Sequence, residues 1–241
     1  MNAPRIRYQR VVLKVSGESL GSSGSSLDLD RITGVAESII AIRAAGVAVT
    51  VVVGGGNIFR GTQNDSGKIE PARADHAGMA ATGVNAILLQ AVIQGMDAAA
   101  EIFSRGPCTG IGTPYDDGSL RRALDEGTVG IIAGGMGVPG ISTDVPAVRA
   151  AIDTKASVVI MSKFGTKGVY DSDPRVNPDA VFMPVLTASE ALTRDLRVMD
   201  TQALALAREF NKIIHVVPAS DAKNVQYAVE GVEIGSVIHP R

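Results

Sequence analysis

The sequence predicts an α/β fold, a three-layer α/β/α sandwich with a mainly parallel central sheet. Three observations predict it: short runs rich in β-branched residues recur along the chain, segments with helical apolar periodicity separate them, and the connections are short. This alternation favours parallel strands with helices on both faces of the sheet. Neither an internal repeat nor a linker divides the chain, so we expect a single domain spanning residues 1–241.

The first third of the chain contains two predicted strands and one predicted helix. RVVLKVS (10–16) is typical of a strand, and Asp30 is predicted to begin a helix. The apolar face of that helix comprises Ile32, Val35, Ile39 and Ile42. VAVTVVV (47–53) is a continuous apolar run, which suits a parallel strand buried on both faces.

The middle of the chain is predicted to form a long helix, two strands and a further helix. The helix is expected from Asp75 to about Ala100, in a segment rich in Ala and Met. TVGIIA (128–133) and SVVIMS (157–162) are predicted strands. Between them a glycine-rich segment leads to a helix that begins near Thr143.

The last part of the chain continues the alternation. Thr187 and Glu190 have the spacing of a capping box at the start of a helix. Met199 to Phe210 is a predicted helix, and Asp221 is predicted to cap the last one. The strands expected here are KIIHVV (212–217) and SVIH (236–239). The polar segments GSSGSS (21–26) and GTQNDSGK (61–68) are expected to be mobile loops.

Composition excludes several classes of function. The net charge of −2 provides no basic field for nucleic acid, and aromatic residues at 4% supply little base stacking. The single cysteine, Cys108, allows no internal disulfide and fits a reducing compartment. VVLKV is too short for a signal-peptide core, and no uninterrupted apolar run reaches about 18 residues. We therefore expect a cytoplasmic protein with no membrane or nucleic-acid partner.

Four segments follow the predicted strands, where parallel sheets gather their ligands. They are KVSGE (14–18), GGGNIFRG (54–61), GGMGVPGISTD (134–144) and SKFGTKGVYDSDP (162–174). Successive amides of glycine-rich turns form anion nests, and an arginine fork matches phosphate oxygens. The second segment, with three consecutive glycines and Arg60, therefore favours anion binding over a simple surface turn.

Other residues in these segments leave two interpretations open. Lys14 interrupts an apolar strand near its end, either as a snorkelling lysine or as the partner of a bound anion. Thr143 and Asp144 are either a helix N-cap pair or a carboxylate that faces Lys14. The segment from Lys163 to Asp173 is either a loop with a turn at Asp173 or a binding segment.

Several familiar chemistries do not fit the sequence. The G-x-G-x-x-G of residues 135–140 contains a proline, and the next strand lacks the terminal acidic residue of a dinucleotide-binding site. The P-loop spacing is absent, the three histidines match no zinc pattern, and there is no G-x-S-x-G elbow. What remains is a set of glycine nests, two or three cations and one carboxylate. Phosphoryl transfer, usually with Mg²⁺, uses groups of these kinds to bind and neutralise phosphates.

The motifs resemble those of bacterial UMP kinases, a branch of the amino-acid-kinase superfamily. VVLKVSGESL, VVVGGGNIFRG and RADHAGMAATGVNAILLQ are similar to the first strand and turn, the second turn and the long helix of that family. AGGMGVPGISTDVPAVRAA, GVYDSDPRVNPDA and RVMDTQALALARE resemble its later blocks, in family order. The resemblance covers about residues 9–238 and implies the amino-acid-kinase fold and transfer of the γ-phosphoryl group of ATP to UMP.

The resemblance also implies the site residues. Catalytic roles would fall to Lys14, to Asp144, which would orient it, and to Arg60. ATP would contact Lys14, Val15, Ser16, Gly17, Gly56, Arg60, Lys163, Phe164, Tyr170 and Asp173. UMP would contact Gly55, Asp75 through its ribose hydroxyls, and Met136, Gly137, Val138, Pro139, Gly140, Ile141, Ser142 and Thr143. Residues 1–150 would form mainly the UMP side and 151–241 mainly the ATP side.

Family members are similar in being Mg²⁺-dependent homohexamers, with the metal held mainly by nucleotide phosphates, and often respond to GTP and UTP. The chain departs from the family pattern at Lys167, at Gly140 and at Val217-Pro218, positions that bear on donor and base preference. A related kinase with another small anionic acceptor and a non-catalytic nucleotide-binding regulator are the alternative hypotheses. Retention of Lys14 and Asp144 argues against the regulator.

Overall fold

The structure, a computed structural model, describes residues 6–60, 68–196 and 198–241. The described strands are β1 (Arg10–Val15), β2 (Ala48–Val53), β3 (Ala100–Ser104), β4 (Thr113–Pro114), β5 (Val129–Ala133), β6 (Val158–Lys163), β7 (Val169–Tyr170), β8 (Phe182–Met183), β9 (Val185–Thr187), β10 (Ile213–Pro218) and β11 (Ser236–His239). The described α-helices are α1 (Leu29–Ala44), α2 (Pro71–Gly95), α3 (Asp117–Asp125), α4 (Asp144–Asp153), α5 (Ala188–Thr193), α6 (Thr201–Glu209) and α7 (Asn224–Val229).

The central sheet has nine strands in the order β4-β3-β5-β2-β1-β6-β10-β11-β9. Strand β1 lies in the middle and pairs in parallel with β2 and β6. Only β11 and β9 run against the others, because β11 is antiparallel to β10 and parallel to β9. Strands β7 and β8 form a separate antiparallel pair. The prediction of a mainly parallel sheet is confirmed.

Helices cover both faces of the sheet, as the sequence predicts. One buried cluster joins alternate residues of the strands, such as Leu13, to apolar residues of α1, α2 and α7. The other cluster joins the intervening residues, such as Val12, to α3, α4, α5 and α6. Successive side chains of a strand point to opposite faces, so Lys14 shares the face of Val12 and is directed towards the α4 layer.

The main errors of the sequence-based assignment concern the segment after α2. The predicted helix from Asp75 to about Ala100 in fact begins at Pro71 and ends at Gly95. Glu70 caps it by accepting hydrogen bonds from the amides of Ala72 and Arg73, and the preset φ of a proline suits the first helical position. Its last predicted residues belong to a turn and to β3, and β3, β4 and α3 were not predicted.

Smaller differences concern helix caps. Asp28, rather than Asp30, caps α1 by accepting from the amide of Arg31. Thr187 accepts from the amide of Glu190, as the capping-box spacing predicts, whereas the Glu190 carboxylate pairs with Arg194. Asp221 accepts from the amide of Lys223 in the turn before α7, so it does not cap the helix directly.

Helix α2 is long and apolar enough to cross a bilayer by length and composition, although no uninterrupted apolar run of that length exists in the sequence. Its buried residues, including Ala86, Leu89 and Ile93, pack in the same cluster as the central strands. A core helix of a globular domain packs in this way, and this packing explains the apolar composition of α2.

Candidate active site

Lys14 and Asp144 meet at the carboxyl edge of the sheet. Lys14 Nζ lies 3.3 Å from Asp144 Oδ1, and their side chains are only 12% and 13% exposed. Burying an ammonium without a partner is costly, and the carboxylate provides that partner. The geometry therefore favours the second interpretation of Asp144, a carboxylate facing Lys14. Thr143, at the N-cap of α4, makes no side-chain capping hydrogen bond.

The other carboxylate oxygen of Asp144 is also held. Asp144 Oδ2 accepts a hydrogen bond of 3.0 Å from the backbone amide of Asp200, the N-cap residue of α6. The starts of α4 and α6 therefore fix the carboxylate between a backbone donor and the Lys14 ammonium. A charge held in this way needs little reorganisation when a ligand binds.

A second lysine lies close to this pair. Lys163 ends β6, next to β1, and its Nζ donates to the carbonyl of Val198. Burial lowers the pKa of Lys163, and the charge of Lys14 lowers it further, while Asp144 acts in the opposite direction. Two cations and one carboxylate thus lie near one another at this edge, which leaves an excess of positive charge for an anionic ligand.

The turns that follow β1 and β2 are in direct contact. A Cβ on Gly17 would lie 2.7 Å from the Gly56 amide nitrogen and 2.4 Å from Asn57 Oδ1, so only glycine fits there. Ser16 precedes the short 3₁₀ helix Gly17–Leu20, and Val15 is buried at the end of β1. The two glycine-rich turns therefore form one continuous backbone surface beside Lys14.

An asparagine pair supports these turns, and no role was predicted for it from the sequence. The fully buried Asn85 of α2 donates to the Gly54 carbonyl at 2.7 Å and to Asn57 Oδ1 at 2.8 Å. Asn57 in turn donates to the Ser26 carbonyl at 2.7 Å, which ties the loop of residues 21–26 to the same turn. A lone asparagine among the apolar residues of α2 was the available signal.

Arg60 lies beside the second turn. Its guanidinium forms an ion pair with Glu18, and both side chains are partly exposed. A Cβ on Gly56 would lie 3.0 Å from Arg60 Nε, which places the guanidinium against the turn. Arg60 is therefore positioned beside the glycine-rich surface, at the end of the described segment. Gly61, the last residue of the predicted motif, lies outside the described residues.

The predicted acceptor residues lie around the first half of α2. Asp75 Oδ2 accepts a hydrogen bond of 2.7 Å from the Gly140 amide, which joins α2 to the segment 136–143 after β5. Gly55 packs on the same helix, because a Cβ there would lie 2.5 Å from the Gly78 carbonyl oxygen. The structure thus brings Gly55, Asp75 and the 136–143 segment together.

The predicted donor residues after β6 line a separate cleft. Its volume is about 730 Å³, and Lys163, Phe164, Tyr170 and Asp173 all contribute to its wall. Tyr170 packs edge to face on Phe182, with ring centroids 5.5 Å apart. Hydrogen bonds from Arg175 lower the pKa of Asp173 to about 2, so this carboxylate is ionised and already paired. Lys167 is exposed nearby.

The chain offers no ready-made metal cage in the parts that the structure describes. No group of three or more His, Cys, Asp or Glu side chains there is arranged to hold a metal ion. The site carboxylate, Asp144, is occupied by Lys14 and by a backbone amide. A divalent cation at this site would therefore take most of its ligands from bound phosphates.

The fold and the site together define a class: α/β proteins that bind phosphorylated ligands at the carboxyl edge of a parallel sheet and neutralise them with lysines and backbone amides. Residues 9–218 match the amino acid kinase family. The chain belongs to the amino acid kinase family, among its uridylate kinases. The family and fold predicted from the motifs are thereby confirmed.

The similar proteins span nearly the whole chain. It is 37% identical to the uridylate kinase of Frankia casuarinae over 234 residues, which cover 96% of this chain and 90% of that protein. It is 38% identical to the uridylate kinase of Oenococcus oeni over 236 residues, 97% of each chain. The solved UMP kinase from Bacillus anthracis superposes with a TM-score of 0.91, at 31% identity and over 97% of this chain and 96% of that one.

Proposed function

We propose that this chain is a UMP kinase, which transfers the γ-phosphoryl group of ATP to UMP and releases UDP and ADP. The observation that carries the proposal is the buried pair of Lys14 and Asp144 at the strand edge beside two glycine-rich turns. The names of the similar proteins, uridylate kinase and UMP kinase, support the identity of the acceptor.

The reaction needs charge neutralisation more than covalent help. A phosphate oxygen of UMP forms a new bond to the γ-phosphorus of ATP, and the bond to the β–γ bridging oxygen breaks, so that ADP leaves. The attacking oxygen is already ionised, and no general base is required. Lys14 would offset the charge shared by the three transferring oxygens, and Asp144 would hold its ammonium in position. The exposed face of the glycine turns and Arg60 would bind the remaining phosphate oxygens.

The acceptor side is assigned mainly to residues 1–150. Asp75 would accept hydrogen bonds from the ribose hydroxyls of UMP, and residues 136–143 would enclose the uracil. The Gly140 amide already occupies Asp75 Oδ2, so ribose would share or replace that hydrogen bond. The contact between Asp75 and this segment supports a single acceptor site built from both.

The donor side is assigned mainly to residues 151–241, together with the turn after β1. The cleft after β6 would hold the adenosine part of ATP, with Phe164 and Tyr170 supplying planar apolar surface. Lys163 lies between this cleft and the Lys14 pair and would contact the phosphates. Mg²⁺, bound mainly to the phosphates, would supply additional neutralising charge.

We further propose a cytoplasmic homohexamer. Helix α2 carries an exposed apolar stripe, formed by Ala77, Ala80, Val84, Ile87 and Ala91. Such a stripe on a helix whose opposite face is already buried is typical of a subunit contact. Responses to GTP and UTP remain predictions of the family resemblance.

An acceptor panel tests the function. Purified protein is supplied with ATP and Mg²⁺ and with UMP, CMP, dUMP or small carboxylic acids, and ADP release is measured. UMP should be the best acceptor, and Asp75→Asn should raise its KM sharply with little effect on the KM for ATP. Turnover of a small acid in preference to UMP, or unchanged kinetics in the variant, would indicate another acceptor. Binding of ATP without any turnover would indicate a regulator.

A further inference from the structure

A second polar cluster lies outside the strand-end site, around the carboxylate of Asp153. Tyr115 donates its hydroxyl hydrogen to Asp153 Oδ2 at 2.6 Å, and Arg149 Nε lies 2.8 Å from Oδ1. Arg105 Nη2 is 4.0 Å from Oδ2. This single carboxylate, 6% exposed, is thus shared by a phenol and two guanidinium groups. No role was predicted for any of these four residues from the sequence.

The Arg105 side chain is the member of the cluster that reaches the acceptor side. Its guanidinium carbon lies 3.5 Å from the centroid of the Tyr115 ring, and its side chain is 16% exposed. Burial lowers the pKa of Arg105. Its Nη1 lies 3.3 Å from the sulfur of Met136, a weak acceptor, in the segment assigned to uracil.

The backbone of Arg105 supports the same segment. Its amide donates to the Ala133 carbonyl at 3.0 Å, at the end of β5. Gly134 has φ +85°, and a Cβ there would lie 2.0 Å from the Arg105 carbonyl oxygen. A Cβ on Gly137 would lie 3.4 Å from Arg105 Cβ. The segment after β5, residues 134–137, therefore contacts both the backbone and the side chain of Arg105.

Stability alone does not explain an arginine at this place. Asp153 is already satisfied by Arg149 and by the Tyr115 hydroxyl, and a buried guanidinium carries a desolvation cost. The Met136 thioether offsets little of that desolvation cost, because it accepts only weak hydrogen bonds. The planar group, fixed between the aromatic ring and the Met136 sulfur, does restrict where Met136 can lie.

We propose that Arg105 is a positioning residue for nucleobase recognition: clamped by Tyr115 and Asp153, it sets the conformation of the 136–143 segment through Met136. The inference rests on the proposed function, since that function assigns the segment to uracil. Arg105 acts on acceptor affinity and on the preference for UMP over CMP, and it does not act on the ATP side or on the Lys14 pair.

The test compares two arginines that share one carboxylate. Arg105→Lys keeps the positive charge but loses the planar stack on Tyr115, so the KM for UMP should rise about 5-fold or more, with kcat and the KM for ATP within about 2-fold. Arg149→Ala is the matched control. Arg149 is 51% exposed and approaches the opposite oxygen of Asp153, so its loss should leave the KM for UMP within about 2-fold.

Two further measurements separate positioning from loss of fold. Thermal unfolding with and without UMP should show a smaller UMP-induced rise in Tm for Arg105→Lys, and an unchanged rise for Arg149→Ala. The ratio of kcat/KM for UMP over CMP should fall only in the Arg105 variant. Tyr115→Leu removes the ring on which the guanidinium packs and should also raise the KM for UMP, so it provides a second variant if Arg105→Lys folds poorly.

The outcomes are distinguishable. Equal effects in the two arginine variants, a parallel rise in the KM for ATP, or an unchanged KM for UMP in Arg105→Lys would overturn the inference while leaving the UMP kinase assignment intact. Failure of the unmodified protein to bind or phosphorylate UMP would overturn the proposed function, and the inference with it.

Discussion

Lys14 stands on a central strand, directed towards the start of α4, with its ammonium against Asp144 and most of its stem out of water. Its neighbours along the strand are valine and leucine, so an apolar residue would pack at this position without the cost of burying a charge. The carboxylate compensates this cost and also fixes where the ammonium lies. Stability therefore does not explain the lysine, and we attribute it to binding of anionic ligands at the strand edge. Substitutions of the two lysines at this edge, Lys14 and Lys163, test this account.

Lys14→Ala should leave the fold intact and reduce kcat by about 10² or more, the effect of removing one preorganised charge from an active site. Steady-state kinetics together with the thermal unfolding curve check this result. Lys14→Arg is the matched variant, because it keeps the charge and changes its shape. Retained turnover in Lys14→Ala would remove Lys14 from the mechanism.

Lys163→Met should have opposite effects on folding stability and on ATP binding. The pKa of Lys163 in the folded protein is below the ordinary lysine value, so the charged form costs stability at neutral pH and this cost disappears as the pH rises towards about 10.4. The variant should therefore gain stability relative to the wild type at pH 7 and lose that gain near pH 10. Denaturant unfolding at both values measures it, and the KM for ATP should rise. A stability difference that does not change with pH would contradict this account.

At the scale of elements, α2 shows what the sequence could and could not predict. Its existence followed from composition, but its start did not, because the cap is a glutamate, a residue outside the usual N-cap set. Strand β3 was not predicted, and its first residue, Ala100, was assigned to the helix because it continues an alanine-rich composition. Lys14, Asp144 and the glycine turns were found because strand ends are predictable, whereas Asn85 and Arg105 act through tertiary contacts that no local pattern encodes.

Asn85→Ala should destabilise the protein by about 1–3 kcal/mol, because the buried Gly54 carbonyl and the Asn57 amide group lose a partner. It should also raise the KM for ATP, since the turn that contacts Gly17 is no longer held. Gln94→Ala, on the same helix, is the control: it removes one donor to the Ala100 carbonyl, which keeps the hydrogen bond from Gln90. Denaturant unfolding and kinetics measure both. Equal destabilisation by the two variants would exclude a special role of the buried asparagine.

At the scale of the whole molecule, the strand edge lies between the proposed acceptor side around α2 and the proposed donor cleft after β6. The exposed apolar stripe of α2 lies on the helix that also carries Asp75 and Asn85. A subunit contact on this stripe would therefore stabilise the helix that builds the acceptor side. The proposed oligomer and the acceptor site are thus linked through one element.

Ile87→Glu should break the proposed subunit contact and lower the molecular mass in solution, because a carboxylate replaces an apolar side chain that is 45% exposed in the single chain. Val232→Glu is the control, at a valine that is 48% exposed away from the stripe. Light scattering coupled to size-exclusion chromatography measures the mass. An unchanged mass in Ile87→Glu would show that the contact lies elsewhere.

The hydrogen bond from the Gly140 amide to Asp75 has a consequence for nucleotide selection. The Gly140 amide holds the Asp75 carboxylate in place before the nucleotide binds, and a carboxylate accepts several hydrogen bonds, so a ribose hydroxyl can bind Asp75 without displacing the amide. A sugar that lacks the matching hydroxyl would leave the bond between Asp75 and the Gly140 amide as it is and would gain no hydrogen bond there. Discrimination between ribose and deoxyribose would then come from a hydrogen bond to a preoriented carboxylate that only ribose can form, whereas the phosphate contacts are common to both nucleotides.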